Sequence, residues 1–471
     1  MNTRNTTLAL VVIATLSACA LEPAPKPADY RAEALGGVKP PDQWTTAGAT
    51  AGPVAGSWLA TFGDPQLDAL VTEAMANNLD LKVAAARVQV ASEYVKLADS
   101  SLWPQVNLLA RGGGEMGGDA SGLNGVGLYA NWELDLWGRV RSARAATEST
   151  YGSAVADAEY ARQSVAALVA KAYFLAVEAS LQLRLAEDTV ATSQQLVTFA
   201  EQRQRIGKGD GYDSAIARGN LETLRDSVET LTLSRGQALR ALEVLVGRYP
   251  AADVDVATQL VQPPGSVPAG LPSELLERRP DVVAADRRVA AAFYGVQEAK
   301  AARLPSISLT ASVSDISSDL FVLKNRDNPM WSAGASLLQP VFNAGALQTQ
   351  VRIRTAEQKQ SIAEYGQIGA RAFAEVEDAL SAEFAASRRQ AVLARAVAEN
   401  QVALEFTQQR FKVGSGDMRA VSQQQLALLG THSALLRVQS DRLVQRVNLY
   451  LALGGGFDAA PVTTPVAQAK E

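Results

Sequence analysis

One cysteine and one histidine set narrow limits on the chemistry open to this chain. The cysteine, Cys19, ends the run Leu16-Ser17-Ala18-Cys19, and ahead of it lie Arg4 and an apolar stretch from Thr6 to Ala18. A basic start, a short apolar run and small residues at its end make a secretory signal that is too short to span a bilayer. A thiol at the cleavage point adds the nucleophile that lipid transfer requires, and the four residues have the form of a bacterial lipobox. Cleavage would remove residues 1–18 and leave Cys19 as an acylated first residue. Ala20 follows, in place of the Asp that holds such lipoproteins at the inner membrane, so the expected site is the outer membrane.

Other chemistries find little support. A lone cysteine forms no internal disulfide and no cysteine-based metal cluster. His432 is the only histidine, which removes paired-histidine metal motifs and most catalytic triads. It sits between Leu428 and Leu435 on a helical pattern and reads as a packed or lumen-facing residue. A net charge of −5 gives no electrostatic support for nucleic-acid binding. No enzyme activity, cofactor or metal site is expected.

What the chain does carry is a repeat. Asp80 matches Asp281, Arg87 matches Arg288 and Pro104 matches Pro305, all 201 positions apart. Arg205-Ile206-Gly207-Lys208-Gly209-Asp210 matches Lys412-Val413-Gly414-Ser415-Gly416-Asp417 at an offset of 207. A unit of about 200 residues is too long for a solenoid repeat, so two similar halves share one architecture. The expected division is residues 1–18 as signal peptide, 19–63 as a lipidated, extended N-terminal arm, 64–261 as the first repeat, 262–272 as a proline-rich linker, 273–454 as the second repeat and 455–471 as a flexible tail.

Each half predicts one very long helix. From Val165 to Ala200 a 3.5-residue spacing picks out eleven positions, of which all but Ser193 are apolar. That is a coiled-coil seam. The same register moved by 207 runs from Ala372 to Thr407 and is interrupted by Glu383, Gln390 and Asn400. No proline occurs between Arg139 and Ile206. At ~1.5 Å per residue such a helix runs roughly 100 Å, far too long for a compact core. Each long helix ends at a Gly-x-Gly-Asp turn, and a return helix follows.

Two strands per half lie between the helices. Ile307, Leu309, Ala311 and Val313 alternate with Ser306, Ser308, Thr310, Ser312 and Ser314. Trp331, Ala333, Ala335 and Leu337 alternate with Ser332, Gly334 and Ser336. Val126, Leu128, Ala130 and Trp132 alternate with Tyr129, Asn131 and Glu133. The strand after Pro104 is less regular. Segments of about ten residues, apolar on one face and small and polar on the other, fit transmembrane strands around a wet lumen. An open sheet edge in hydrocarbon leaves backbone groups unpaired, so the edges must pair between chains. Two chains would give eight strands and a filled interior; three give twelve and room for a conduit. The expected fold class is an α+β membrane protein, a trimeric 12-stranded outer-membrane β-barrel with four strands per chain, continued by a long α-helical coiled-coil tunnel and built from an internal tandem duplication. Gly112 to Gly118 then reads as a loop at the barrel mouth, since it lacks the Gly-Lys-Ser/Thr of a phosphate loop. Trp137 and Arg139 are expected to pack and ion-pair where strand meets helix.

At this point the chain resembles the TolC-like outer membrane efflux proteins, in the nodulation-type efflux lipoprotein branch. The resemblance covers nearly everything from Cys19 to Gly454. It is carried by the run from Trp58 to Asp68, by Asn77-Asn78-Leu79-Asp80-Leu81, by Asn131-Trp132-Glu133-Leu134-Asp135-Leu136-Trp137-Gly138-Arg139, by Glu277-Arg278-Arg279-Pro280-Asp281-Val282 and by the run from Gln339 to Gly345. It implies a homotrimer in outer-membrane lipid that works with a periplasmic adaptor protein and an inner-membrane efflux pump and passively exports small toxic molecules. The adaptor would meet the two hairpin tips, Gly207, Lys208, Gly209 and Asp210, and Gly414, Ser415, Gly416 and Asp417. Related channels carry an aspartate ring on the return helix after the second tip. The matching positions here are near Ala420 and Gln423, and no Asp or Glu occurs between Asp417 and Asp441. A constriction lined by Ala420, Gln423 and Gln424 is expected instead, with Arg419 and Asp417 tying neighbouring helices. A peptide exit duct of type I secretion and a non-conducting coiled-coil envelope lipoprotein stay open as alternatives.

Metabolic labelling with palmitate is expected to mark the protein at Cys19. Equal labelling of a Cys19→Ser variant would show the lipid to be elsewhere.

Overall fold

The computed structural model describes residues 21–46, 52, 56–111, 124–265, 267–270, 272–317 and 330–457. Cys19 and the run from Gly112 to Gly118 lie outside them. After α1 (Pro27–Leu35) and a 3-10 turn (Leu59–Phe62), the elements come in two matching series. The first is α2 (Pro65–Asn77), α3 (Leu79–Ser100), β1 (Gln105–Arg111), β2 (Asn124–Leu134), α4 (Arg139–Arg205) and α5 (Gly211–Val246). The second is α6 (Pro272–Arg278), α7 (Pro280–Ala301), β3 (Ser306–Ser317), β4 (Met330–Leu338), α8 (Ala346–Val413) and α9 (Met418–Ala452). The long helices α4 and α8 have 67 and 68 residues.

The chain forms two compact units. One comprises residues 1–38, 85–157 and 281–369 and holds the sheet. Its strands lie in the order β1-β2-β3-β4, all antiparallel. Pro104 and Pro305 cannot continue α3 and α7, and period-2 sequence starts directly after each. At the far end of β2 the sequence turns straight into α4. Asp135 accepts the backbone N–H groups of Val140 (3.1 Å) and Arg141 (2.9 Å), covering free donors of the first turn. Arg139 donates twice to Glu133, at 2.9 and 2.7 Å, and the Trp137 indole N–H donates to the Pro305 carbonyl at 2.7 Å. The strand–helix junction is thus tied as its residue types predicted.

The N-terminal arm is not extended throughout. Residues Pro27–Leu35 are helical, and Tyr30, Leu35, Trp44 and Trp58 are buried. In the first unit the Tyr30 hydroxyl donates to Asp286 (2.5 Å), and its ring meets Tyr365 edge-on at 5.2 Å. Burial and the Asp286 carboxylate push the Tyr30 hydroxyl pKa far above its ordinary value. Gly366 is where the arm backbone touches α8: a Cβ there would overlap the Ala34 carbonyl. The Pro, Ala and Gly background of the arm conceals these widely spaced aromatic anchors.

The other unit comprises residues 39–84, 158–280 and 370–471. Here α4 and α8 bury their seams: Val165, Val169, Ala176, Ala186, Val197 and Ala200 on one, Ala372, Val376, Ala379, Ala386 and Leu404 on the other. Three of the four polar seam residues of α8 bond to α9, and the fourth, Thr407, donates to Ala403 O of its own helix at 3.0 Å. Glu383 pairs with Arg446 (2.7 Å), Gln390 accepts from Arg442 (3.1 Å), and Asn400 donates to Thr431 (3.2 Å). A mispaired polar group in a helical core costs more than a mispaired alanine, so these residues fix the register of the hairpin. Trp58 stacks on Tyr450 at 5.7 Å. Asp64 caps α2 and accepts the Tyr173 hydroxyl at 2.7 Å. The passage between the repeats is strapped down, with the Trp44 indole donating to the Ala269 carbonyl at 3.1 Å.

That passage starts from Glu243, near the end of α5 and 2% exposed. Its carboxylate accepts the N–H groups of Ala252 (2.7 Å), Asp253 (2.7 Å) and Val254 (3.1 Å). Burial raises its pKa, but the three donors outweigh burial, and the net shift is downward. A carboxyl with a depressed native pKa stabilises the fold above its unfolded value, and that stabilisation is lost as pH falls through the native value. Glu243→Gln is expected to cost about 2 kcal/mol, because the amide cannot accept from all three donors. Denaturant titration at neutral pH reads this directly. The gap between wild type and variant should shrink as pH is lowered into the carboxyl range.

Candidate functional site

The sheet is the first candidate. Its registers place Asn107 opposite Tyr129, Asn131 opposite Thr310, Tyr129 opposite Ser312 and Ser312 opposite Ser332. One face therefore collects small and polar side chains, and the Ser312 and Ser332 hydroxyls meet at 2.8 Å. The other face collects Val106, Leu108, Val126, Leu128, Ile307, Leu309, Val313, Trp331 and Leu337. That face is bare: Leu128 is 52% exposed, Val313 57% and Trp331 79%. Patches of this kind on a folded chain mark contact with lipid or with another protein. The outer edges of β1 and β4 have no partner strand among the described residues.

The hairpin tips are the second candidate, and both use one local device. Gly207 has φ +71 and Gly414 φ +84, left-handed values that favour glycine. Lys208 N–H donates to Arg203 O (2.9 Å) and Gly207 N–H to Gln204 O (3.1 Å). Ser415 N–H donates to Arg410 O (2.9 Å) and Gly414 N–H to Phe411 O (3.1 Å). These are paired Schellman closures, which use up carbonyls left free by the helix end. Asp210 and Asp417 then cap the return helices, accepting from Asp213 N–H (2.9 Å) and Ala420 N–H (2.8 Å). Lys208 and Ser415 are exposed, while Gly209 packs against Arg203 and Gly416 against Arg410.

The two tips are bonded to each other. Arg203 donates to the Phe411 carbonyl (2.5 Å) and lies over the Phe411 ring at 4.8 Å. Arg419 donates to the Tyr212 hydroxyl, and the Met418 N–H donates to Asp213 at 3.2 Å. Beneath them Val197, Ala200, Ala217, Leu221, Leu404, Phe411, Met418 and Val421 form one apolar cluster. Arg419 thus ties helices as its position predicted, but to α5 of its own chain. The Asp417 carboxylate caps its own helix. Of the other return-helix residues, Gln423 is exposed and Ala420 half-buried, while Gln424 donates to Asn400 of α8 at 2.9 Å. Sequence reasoning missed Arg203 and Tyr212. Arg203 lies three residues past the end of the apolar seam, where a basic side chain reads as a solvated helix end; only its spacing from Phe411 would have pointed to the cation–π contact. His432 is half-buried on α9. Among the described residues no group of three or more His, Cys, Asp or Glu side chains is placed to hold a metal ion.

Residues 70–248 and 271–455 match the sequence profile of a family described as Outer membrane efflux protein. The cation efflux system protein CusC of Escherichia coli K12 is 32% identical, over 95% of this chain and 99% of its own. The probable outer membrane lipoprotein SilC of Salmonella typhimurium is 29% identical, over 85% of this chain and 88% of its own. Among solved structures, the open state of the Neisseria gonorrhoeae MtrE outer membrane channel superposes with a TM-score of 0.79 at 28% identity, covering 89% of this chain and 97% of that one.

Proposed function

The chain belongs to the outer membrane efflux protein family, and from that premise we propose that it is the outer-membrane channel of a tripartite efflux system, passing small toxic compounds from a periplasmic adaptor and an inner-membrane pump to the exterior. The observation that carries this reading is the sheet. A bare apolar face backing a polar face, with neither outer edge paired among the described residues, has low energy only in lipid and only when the edges are paired. Three copies supply twelve strands, enough for a conduit. Cys19 is its acylated anchor, a reading supported by the lipobox and by the lipoprotein name of SilC. The protein is a channel and not an enzyme.

The tips at Gly207-Lys208-Gly209-Asp210 and Gly414-Ser415-Gly416-Asp417 are the adaptor contacts. The Schellman closures present rigid backbone there, and the Arg203 and Arg419 bonds hold the two tips as one surface. The constriction is formed by Ala420 and Gln423, with Gln424 held back by Asn400. No Asp or Glu lies between Asp417 and Asp441, so this stretch offers no cluster of carboxylates. A multivalent cation needs several oxygen ligands, and its block from the periplasmic side is weak.

Purified protein is expected to have three times the chain mass in detergent and to conduct in planar bilayers. A conducting monomer would overturn the barrel assignment. In the same bilayers a trivalent cation should block only weakly; tight block abolished by Asp417→Asn would make Asp417 the gate. Cysteines at Lys208 or Ser415 should crosslink to a co-expressed adaptor. Crosslinks confined to the middle of α4 and α8 would move the contact away from the tips.

A further inference from the structure

The unit that holds the helical seams contains a cavity of about 240 Å³, where the passage between the repeats crosses three helices. Leu181 of α4 and Leu436 of α9 line it from the helices, and Leu260, Val261 and Pro263 line it from the passage. Four carboxamides complete the lining: Gln259 and Gln262 of the passage, Gln390 of α8 and Gln439 of α9. No Asp, Glu, Lys or Arg is among the lining residues. The surroundings are fixed. Gln182, next to Leu181, donates to the Ser433 carbonyl of α9 at 2.9 Å. The passage is held on both sides of the cavity, by Glu243 at residues 252–254 and by Arg446, which donates to the Gly265 carbonyl. The span between these points is free: among the described residues no hydrogen bond involves 259–263, in backbone or side chain. Gln439 is likewise unbonded, and Gln390 uses only its oxygen, which accepts from Arg442 at 3.1 Å. Both of these glutamines are half-buried.

The internal repeat shows that the helical hairpin does not require these amides. Moved by 207, Gln390 falls on Leu183 and Gln439 on Thr232, so the first repeat builds its hairpin with no carboxamide at either position. Leu436 falls on Glu229 and Leu181 on Arg388, so the apolar part of the lining does not recur either. A half-buried amide without a partner is costly compared with an apolar side chain of similar size. Here several such groups face one cavity beside a span of unpaired backbone. An apolar lining with a few convergent polar groups, on walls that are already formed, is the make-up of a small-molecule site.

We propose that this cavity binds an uncharged N-acetylated sugar. A carboxamide offers two donors and an acceptor and carries no charge, which suits a ligand rich in hydroxyls that also bears an amide. The unbonded passage backbone adds donors and acceptors of the same neutral kind. An acetamido group meets both halves of the lining, its methyl against Leu181, Leu436 and Pro263 and its N–H and C=O against the glutamines. A carboxylate or an ammonium group would give up water here without finding a counter-charge. The nearest cation to Gln390, Arg442, is already answered by Glu383 at 3.5 Å. At about 240 Å³ the cavity lies below the ~300–1,000 Å³ of drug-sized pockets and suits a single sugar unit, free or within a chain. Such units occur as free sugars and in the glycan strands of the bacterial wall, and the recognised chemistry is the same in both. The site goes beyond the channel reading and stands whether or not the chain conducts.

Saturation-transfer NMR on the full-length protein, in a detergent without a sugar headgroup, reads the binding. The probe is N,N′-diacetylchitobiose, and cellobiose, which has hydroxyls in place of the acetamido groups, is its counterpart. The acetyl methyls are expected to receive saturation from the protein, and cellobiose is expected to bind at least tenfold more weakly. Gln262→Ala combined with Gln439→Leu removes no hydrogen bond among the described residues. That variant is expected to weaken the acetylated disaccharide at least tenfold while native mass and bilayer conductance stay at parent values. Co-sedimentation with purified wall sacculi separates the two sources. Retention of the parent chain and loss of the variant identify wall glycan as the ligand, and disaccharide binding without sedimentation identifies a free sugar. Unsaturated acetyl methyls, equal binding of cellobiose, or equal binding by the double variant overturns the proposal.

Discussion

A backbone amide left unpaired in hydrocarbon costs several kcal/mol, and the rest of this structure depends on that cost. Among the described residues the chain builds four strands, and the outer edges of β1 and β4 are unpaired. In water such edges invite aggregation, and in lipid they are too costly to persist. The bare apolar face assigns the sheet to lipid, so only further strands of the same kind can resolve the edges. Assembly is therefore a condition of membrane insertion in this account, and the duplication supplies a pairing rule for it. The β2·β3 contact already joins the C-terminal strand of one repeat to the N-terminal strand of the next. A barrel made by repeating that step needs no new kind of contact.

The repeat extends to single hydrogen bonds even where residue types differ. Asn78 donates to the Leu245 carbonyl at 2.8 Å, and Arg279, at the matching position, donates to the matching carbonyl of Ala452 at 3.1 Å. The arginine also pairs with Glu375 at 2.6 Å and is almost fully buried, so one copy has turned a neutral hydrogen bond into a charged one. Breaking a buried pair by removing one partner is costly. The halves have thus diverged in chemistry while keeping their geometry, as expected when backbone paths are fixed by a common assembly. The arm is the main exception, since its contacts at Asp286 and Tyr365 fall on the second repeat.

Much of this was legible in the sequence because long periodic elements and glycine or proline stops are strong local signals. The seam from Val165 to Ala200, the turns at Gly207 and Gly414 and the strand alternation after Pro305 all depend on neighbours close in sequence. The arm was less legible. Its burial depends on Tyr30 meeting Asp286 and Trp44 meeting Ala269, contacts across more than 200 residues that no periodicity announces. For the return helix after the second tip, the sequence shows that no Asp or Glu lies between Asp417 and Asp441. That Gln424 turns to Asn400, and that Arg419 turns to Tyr212, follows from side-chain reach between helices and is not encoded in spacing along one of them.

Hydrogen exchange of the strand amides, measured on the assembled protein in lipid, tests the central claim most directly. If the edges are closed by other copies, the amides of β1 and β4 will exchange as slowly as those of β2 and β3. Rapid exchange confined to the outward-facing amides of β1 and β4, beside protected β2 and β3, would mean that the edges are open and that the sheet is not part of a closed barrel.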